Sequence, residues 1–120
     1  MPPKKADPAC LLDMLTAAEA VARYSTDKVR EDLDRDEMFR DAIERRLEII
    51  GEAARGVSDS FQTAHPEIAW KKIMATRHII AHDYDAVNYD ILWRIITVHV
   101  PELIDLLRPL IPPLPPDPEP

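Results

Sequence analysis

The chain contains 120 residues, 46% of them hydrophobic and 31% charged, which suits a soluble globular protein with one hydrophobic core. Lysine and arginine number 15 against 22 aspartates and glutamates, and the net charge of −7 argues against a protein that coats nucleic acid with its whole surface. The single cysteine, Cys10, excludes an internal disulfide and a zinc site built from cysteines, which is typical of the reducing cytoplasm.

Residues that break helices are rare inside the chain. It has two glycines, and between Ala9 and Arg108 the only prolines are Pro66 and Pro101. Together with many Ala, Leu, Ile, Glu and Arg residues, this predicts an all-α fold. No apolar run reaches the length of a membrane span, and the first ten residues lack the apolar segment of a signal peptide, so we expect neither.

Helical periodicity predicts the first helix from Asp7-Pro8 to about Tyr24. Asp7 is expected to cap it, with Pro8 at the first helical position. The Ser-Thr-Asp sequence at residues 25–27 should end this helix. The charged segment from Lys28 to Asp36 should form a short helical turn or an ordered loop.

The second long helix is predicted from about Asp36 to Val57. Its apolar residues recur every three or four positions and form a stripe wide enough for two neighbours, one in the chain and one in a second copy. Gly51 in mid-helix costs roughly 1 kcal/mol relative to alanine, so it indicates either close approach of another helix or a tolerated glycine without a role. The stripe consists of Phe39, Ile43, Leu47, Ile50, Ala54 and Val57, widened by Ala42, Ile49 and Ala53.

Residues 58–67 are predicted to be a connector, in which the bond to Pro66 forces His65 into an extended loop. A third helix should begin near Ala69. Lys71 and Lys72 should be solvated, and Trp70 should be a core anchor and not a binding platform. The residues expected to face the core are Ile68, Ile73, Ile80 and Met74.

The last helix should open at Asn88 or Tyr89 and either kink or restart at Pro101. We therefore predict an antiparallel bundle of about four helices in one domain, residues 1–110. Residues 111–120 contain six prolines and are expected to form a flexible tail, which is either inert or a ligand for a proline-reading module.

The stretch WKKIMATRHIIAHDY, residues 70–84, concentrates basic and aromatic side chains in an acidic chain. Arg77 offers a cationic fork for phosphate oxygens, His82 a proton donor or acceptor near neutral pH, and Tyr84 a phenol. These groups suit phosphodiester chemistry without a metal. On one straight helix Arg77 and His82 would point about 140° apart. They converge only if the helix ends near Ala81 or if two copies share the site.

Two other interpretations stay open. His78 and His82 lie four residues apart, which is half of a zinc-binding pattern, with only Asp83, Asp85 and His99 as loose candidates for further ligands. Alternatively, Arg77 forms a structural salt bridge and His82 caps a helix C-terminus.

Four segments carry a resemblance to a known family. They are RRLEIIGEAAR (Arg45–Arg55), HPEIAW (His65–Trp70), RHIIAHDY (Arg77–Tyr84) and VPEL (Val100–Leu103). In this order and spacing they resemble the HepT-like family, a branch of the HEPN superfamily of small helical ribonucleases. The resemblance covers about Leu11 to Leu107.

The hallmark of that superfamily is an arginine, a polar residue and, after a short spacer, a histidine. Arg77, His78 and His82 match it, and the His-x-Tyr extension of the HepT branch is matched by His82, Asp83 and Tyr84. The polar residue is most often asparagine in the family, so the supporting role of His78 stays open.

The resemblance implies a cytoplasmic, dimeric, metal-independent endoribonuclease toxin that needs no cofactor and spares DNA. Arg77 and His82 would be catalytic, and His78 and Asp83 supporting. Because the net charge is −7, we expect RNA to bind through a narrow basic patch around Lys71, Lys72, Arg77 and His78.

It also implies a partner, an MntA-like nucleotidyltransferase antitoxin that transfers AMP to Tyr84. A half-buried Tyr84 that closes the loop before Asn88 is the competing interpretation. The alternative function is a non-catalytic HEPN-fold module that binds the nucleotidyltransferase.

Overall fold

The computed structural model describes residues 5–81 and 88–112, with side chains described for residues 5–76 and 88–112. Within these residues the fold is all helical, as predicted. None of its helices is long and apolar enough to span a membrane. In chain order the elements are α1 (Asp7–Tyr24), α2 (Asp32–Arg35), α3 (Glu37–Gly56), α4 (Asp59–Ala64), α5 (Trp70–Ala81), α6 (Tyr89–Arg94), a π-helical turn (Ile95–His99), α7 (Val100–Leu107) and a 3₁₀ turn (Arg108–Leu110).

The long helices pack side by side around one core. α3 lies between α1 and α5, and α7 packs on α1. The π-helical turn joins α6 to α7 without a break, so α1, α3, α5 and α6–α7 are the four long helices that the sequence predicts. Residues of all four contribute to a single buried cluster, among them Met14, Ile43, Trp70 and Leu107.

The role predicted for Asp7 was wrong. α1 ends at Tyr24 as expected, but the residue before its first turn is Ala6, and no side chain caps it. The Asp7 carboxylate accepts hydrogen bonds from Ser58 N–H at 2.8 Å and from Ser58 Oγ at 2.6 Å. Because Ser58 follows the end of α3, this contact ties the start of α1 to the end of α3 and makes the two helices antiparallel.

α3 matches its predicted limits within one residue. The Asp36 carboxylate accepts from Phe39 N–H and caps the helix, which lowers the pKa of that carboxyl together with a hydrogen bond from Lys28. A Cβ at Gly51 would lie 3.3 Å from the Ile73 carbonyl oxygen. The glycine therefore permits close approach of α5. The predicted stripe is buried throughout, at Phe39, Ile43, Leu47, Ile50, Ala54 and Val57.

The connector between α3 and α5 is more ordered than predicted, because it contains α4. Ser58 caps this short helix by accepting from Phe61 N–H. His65 lies at its end, outside any helix, as expected. The indole N–H of Trp70 donates to the His65 carbonyl at 2.9 Å, and the ring is buried, so Trp70 is the predicted core anchor.

The last helix begins at Tyr89, and Asn88 caps it by accepting from two backbone N–H groups. Pro101 does not restart the helix. Val100 N–H bonds the Ile95 carbonyl, five residues back, and this wider turn precedes Pro101 in the first turn of α7, where its missing N–H is tolerated. Ile111 still packs against the core. The predicted tail from residue 113 lies outside the described residues.

Candidate ribonuclease site

α5 carries the first part of the predicted site. Its start is fixed by buried Ile68 and Trp70, and Lys71 and Lys72 are exposed as expected. Arg77 and His78 belong to the helical backbone of α5, and their side chains are outside the described part. His82, Asp83 and Tyr84 lie outside the described residues as well, so the roles assigned to all five remain predictions.

Helix geometry divides the predicted basic residues between two sides of α5. Positions 71 and 78 are seven apart and therefore lie within about 20° of each other around the helix axis. Position 77 lies about 120° from position 71. The register of α5 therefore does not favour a single narrow patch made of Lys71, Lys72, Arg77 and His78. Lys71 and His78 share one side, and Arg77 falls on another.

α5 runs antiparallel to α3. Its first residue, Trp70, packs edge-on against Phe61 of α4 at 6.3 Å between ring centroids, next to the end of α3. Its second turn then passes Gly51, in the middle of α3. Continuing at about 1.5 Å per residue, the end of α5 reaches the level of Glu44, seven residues before Gly51.

Glu44 is a polar residue of α3 that sequence reasoning missed. It lies half-buried on α3, and burial together with neighbouring Asp41 raises the pKa of its carboxyl, with Arg40 acting in the opposite direction. Glu44 stands seven residues before Gly51, so the two share one side of α3. The seven-residue spacing from Gly51, where the sequence already indicates close approach of another helix, is the signal that could have identified Glu44.

Tyr89 is a second residue that the sequence did not single out. Two guanidinium groups lie over its ring, with the Arg30 and Arg40 guanidinium carbons 5.9 Å and 5.8 Å from the ring centroid. Arg30 also donates to the Asp90 carboxylate at 2.7 Å. Tyr89 and Asn88 are the first residues described after the predicted His82–Tyr84 motif, so these contacts fix the chain where it leaves the motif.

An open groove separates α5 from the α6–α7 helix. Its volume is about 410 Å³, and its rim carries Lys72, Thr76, His99 and Glu102. On the α6–α7 helix, Ile91 and Val98 project into solvent with 46% and 43% of their surface exposed. The floor of the groove is apolar, formed by Leu47, Ile50, Ile68, Ile73, Ile95, Leu103 and Leu106.

The described residues do not bring three candidate metal ligands together. His99 Nδ1 lies 4.0 Å from the Glu102 carboxylate, and His65 Nδ1 lies 3.0 Å from that of Glu67. The hydrogen bonds of the Glu67 carboxylate with its own backbone N–H and with His65 lower the pKa of that carboxyl. The side chain of His78 and all of His82 lie outside the described part of the chain, so the metal interpretation of this pair stays untested.

A family model described as "Ribonuclease HepT-like" matches residues 14–110. The chain belongs to this family. The match covers all four long helices except the first turns of α1 and includes the segment Arg77–Tyr84. It confirms the predicted family and, at the level of the family, the predicted enzyme class, an endoribonuclease.

Curated relatives in the HepT-like family point the same way. A protein named "Putative RNase" from Methanocaldococcus jannaschii is 35% identical over 79% of this chain and 87% of its own length. A protein named "Probable ribonuclease HepT" from Thermococcus cleftensis is 32% identical over 78% of this chain and 84% of its own length. A third, named "Putative RNase", from Caldanaerobacter subterraneus, is 40% identical over 61% of this chain and 65% of its own length. No solved structure matches the chain.

Proposed function

We propose that this HepT-like protein is a metal-independent endoribonuclease that acts as a toxin. In the proposed reaction the RNA 2′-OH attacks the adjacent phosphorus, the 5′-oxygen leaves, and a 2′,3′-cyclic phosphate remains. His82 moves the protons, and Arg77 stabilises the negative charge on the phosphoryl oxygens, with support from His78 and Asp83. The observation that carries this proposal is the family match, which spans both residues.

The proposed enzyme is a homodimer in which two motifs share one cleft. The separation of about 140° between positions 77 and 82 on a straight helix is then spanned by residues of two copies. The exposed apolar residues Ile91, on α6, and Val98, on the π-helical turn, support this proposal together with the open groove along α5. A second copy would bury both features.

RNA is the proposed substrate, and DNA is spared because the attack needs a ribose hydroxyl. An acidic chain of net charge −7 must bind RNA through local positive charge. The exposure of Lys71 and Lys72 at the start of α5 supports a role for both in binding the RNA backbone.

The proposed antitoxin is an MntA-like nucleotidyltransferase that transfers AMP to Tyr84. An adenylylated phenol beside the cleft would add bulk and negative charge where the RNA phosphate binds, and both effects oppose binding. The acidic surface of the chain would suit a partner with a basic face.

The decisive experiment offers a short RNA and its DNA analogue, in EDTA, to the wild type, to His82→Ala and to His65→Ala. His65 is the matched control, because it is a loop histidine at the end of α4. We expect the wild type and His65→Ala to cleave RNA only and to leave a cyclic phosphate. We expect His82→Ala to lose at least about 100-fold in rate.

The outcomes separate the candidate functions. Loss of activity with EDTA would overturn the metal-independent mechanism. A folded wild type that leaves RNA intact has two explanations, which its intact mass distinguishes. Added AMP would indicate inhibition at Tyr84, whereas an unmodified mass would favour the non-catalytic binding module, in keeping with the acidic surface.

A further inference from the structure

Two cation–π contacts hold the start of α6. Tyr89 is half-buried, and the guanidinium groups of Arg30 and Arg40 lie within 6 Å of its ring centroid, at 5.9 Å and 5.8 Å. Arg30 belongs to the loop before α2, and Arg40 belongs to the first turn of α3. The ring is therefore fixed by two elements that lie far from it in sequence.

Hydrogen bonds fix both arginines and the residues next to Tyr89. Arg30 donates to the carboxylates of Asp34 and Asp90, so it links α2 with α6. Arg40 Nη1 donates to the Leu33 carbonyl at 2.9 Å. These are charge-assisted bonds, which are stronger than neutral ones, and they restrain the two guanidinium groups near the ring.

α3 also fixes α5, on the other side of the predicted motif. Gly51 lets the backbone of α5 approach within van der Waals distance at Ile73. The chain between Ala81 and Asn88 carries His82, Asp83 and Tyr84. It follows α5 and precedes α6, and α3 contacts both of these helices.

We propose that Arg30 and Arg40 hold Tyr89 as a clamp that positions the His82–Tyr84 motif for RNA cleavage. The inference rests on the proposed ribonuclease function and assigns Tyr89, Arg30 and Arg40 as positioning residues. A reacting group displaced by about 1 Å can cost roughly 100-fold in rate, so the anchor of a short catalytic segment affects turnover without touching RNA.

The chain offers a matched control. Tyr24, at the end of α1, bears the same kind of contact: Arg46 lies 5.7 Å from its ring centroid and donates to its hydroxyl at 3.1 Å. Tyr24 belongs to α1 and is far in sequence from the motif. Replacing Tyr24 removes an aromatic ring from one arginine and replacing Tyr89 removes it from two, but only Tyr89 lies directly after the motif segment.

The test measures kcat and KM for RNA cleavage, and thermal unfolding, in Tyr89→Leu, Tyr89→Phe and Tyr24→Leu. For Tyr89→Leu we expect kcat to fall about tenfold or more and KM to stay within about threefold, because positioning acts in the transition state. Tyr89→Phe keeps the ring and should restore most of kcat. Tyr24→Leu should unfold at a temperature similar to that of Tyr89→Leu and cleave like the wild type.

Unchanged kcat in Tyr89→Leu, or an equal loss in Tyr24→Leu, would overturn the clamp. If Tyr89→Leu does not fold, Arg40→Gln removes one of the two guanidinium groups, and an unchanged kcat in that variant would overturn the clamp. A second measurement, amide hydrogen exchange of peptides covering residues 81–88, tests the clamp without relying on RNA cleavage. If the wild type does not cleave RNA, the proposed function fails, and faster exchange in Tyr89→Leu but not in Tyr24→Leu would still support the clamp.

Discussion

α1 and α5 both pack on α3, but they leave very different surfaces behind. α1 meets α3 and α7 with a closed core, in which Met14, Ala18 and Val21 have no exposed surface. Over the part of α5 whose side chains are described, only Trp70 is buried, and Ile73 and Met74 are half-buried. The space between α5 and the α6–α7 helix remains an open groove of about 410 Å³.

The difference separates a stabilising side of the molecule from a side available to partners. The closed core on the α1 side removes apolar surface from water and so stabilises the fold. On the α5 side, apolar residues line an open groove, and Ile91 and Val98 of the α6–α7 helix are exposed. We therefore expect substitutions on the α1 side to affect stability, and substitutions on the α5 side to affect assembly and cleavage.

The largest effect is expected from Met14→Ala. Met14 has no exposed surface, so its truncation should lower the free energy of unfolding by about 2–5 kcal/mol. Met38→Ala is the matched control, because Met38 is 84% exposed and its truncation should change stability by less than about 0.5 kcal/mol. Urea unfolding followed by circular dichroism measures both. Equal effects of the two variants would show that the α1 side is not the closed core described above.

The next effect is expected from Val98→Asp on the π-helical turn that follows α6. If two copies meet there, a carboxylate in the interface should raise the dissociation constant of the dimer at least about tenfold. Val29→Asp is the control, because Val29 is exposed to a similar degree, 50% against 43%, on the loop before α2. Light scattering after size-exclusion chromatography measures the mass of each variant. A Val98→Asp protein that stays dimeric would move the proposed interface to another surface.

Much of this fold could be predicted from spacing in the sequence. The stripe on α3, the limits of α1, the start of α5 and the anchor role of Trp70 follow from local periodicity, which decides which side of a helix is buried. Asp7 could not be assigned in the same way. An aspartate before a proline fits the local motif of a helix cap. The residue that Asp7 actually contacts, Ser58, lies 51 residues away.

The candidate site was predictable only in part, for the same reason. Arg77, His82 and Tyr84 are contiguous enough to form a recognisable motif. The side chains that frame it come from separate elements: Arg40 lies 49 residues before Tyr89 in the sequence, and the contact between them depends on how α3 and α6 meet. Glu44 was missed because its significance depends on the direction of α5 along α3.

The smallest effect is expected from Glu44→Gln, which tests the α5 side of α3. Because burial raises the pKa of Glu44 above 4.5, the folded state favours the protonated carboxyl, and stability falls as the pH rises through the raised pKa. At neutral pH the ionised carboxylate therefore opposes folding. Glu44→Gln should raise the melting temperature at pH 7, and this gain should shrink towards zero below pH 4.5. Glu52→Gln, at an exposed position of the same helix, should show no such gain. A gain for Glu44→Gln that did not depend on pH would mean that side-chain packing, and not the buried charge, sets the difference.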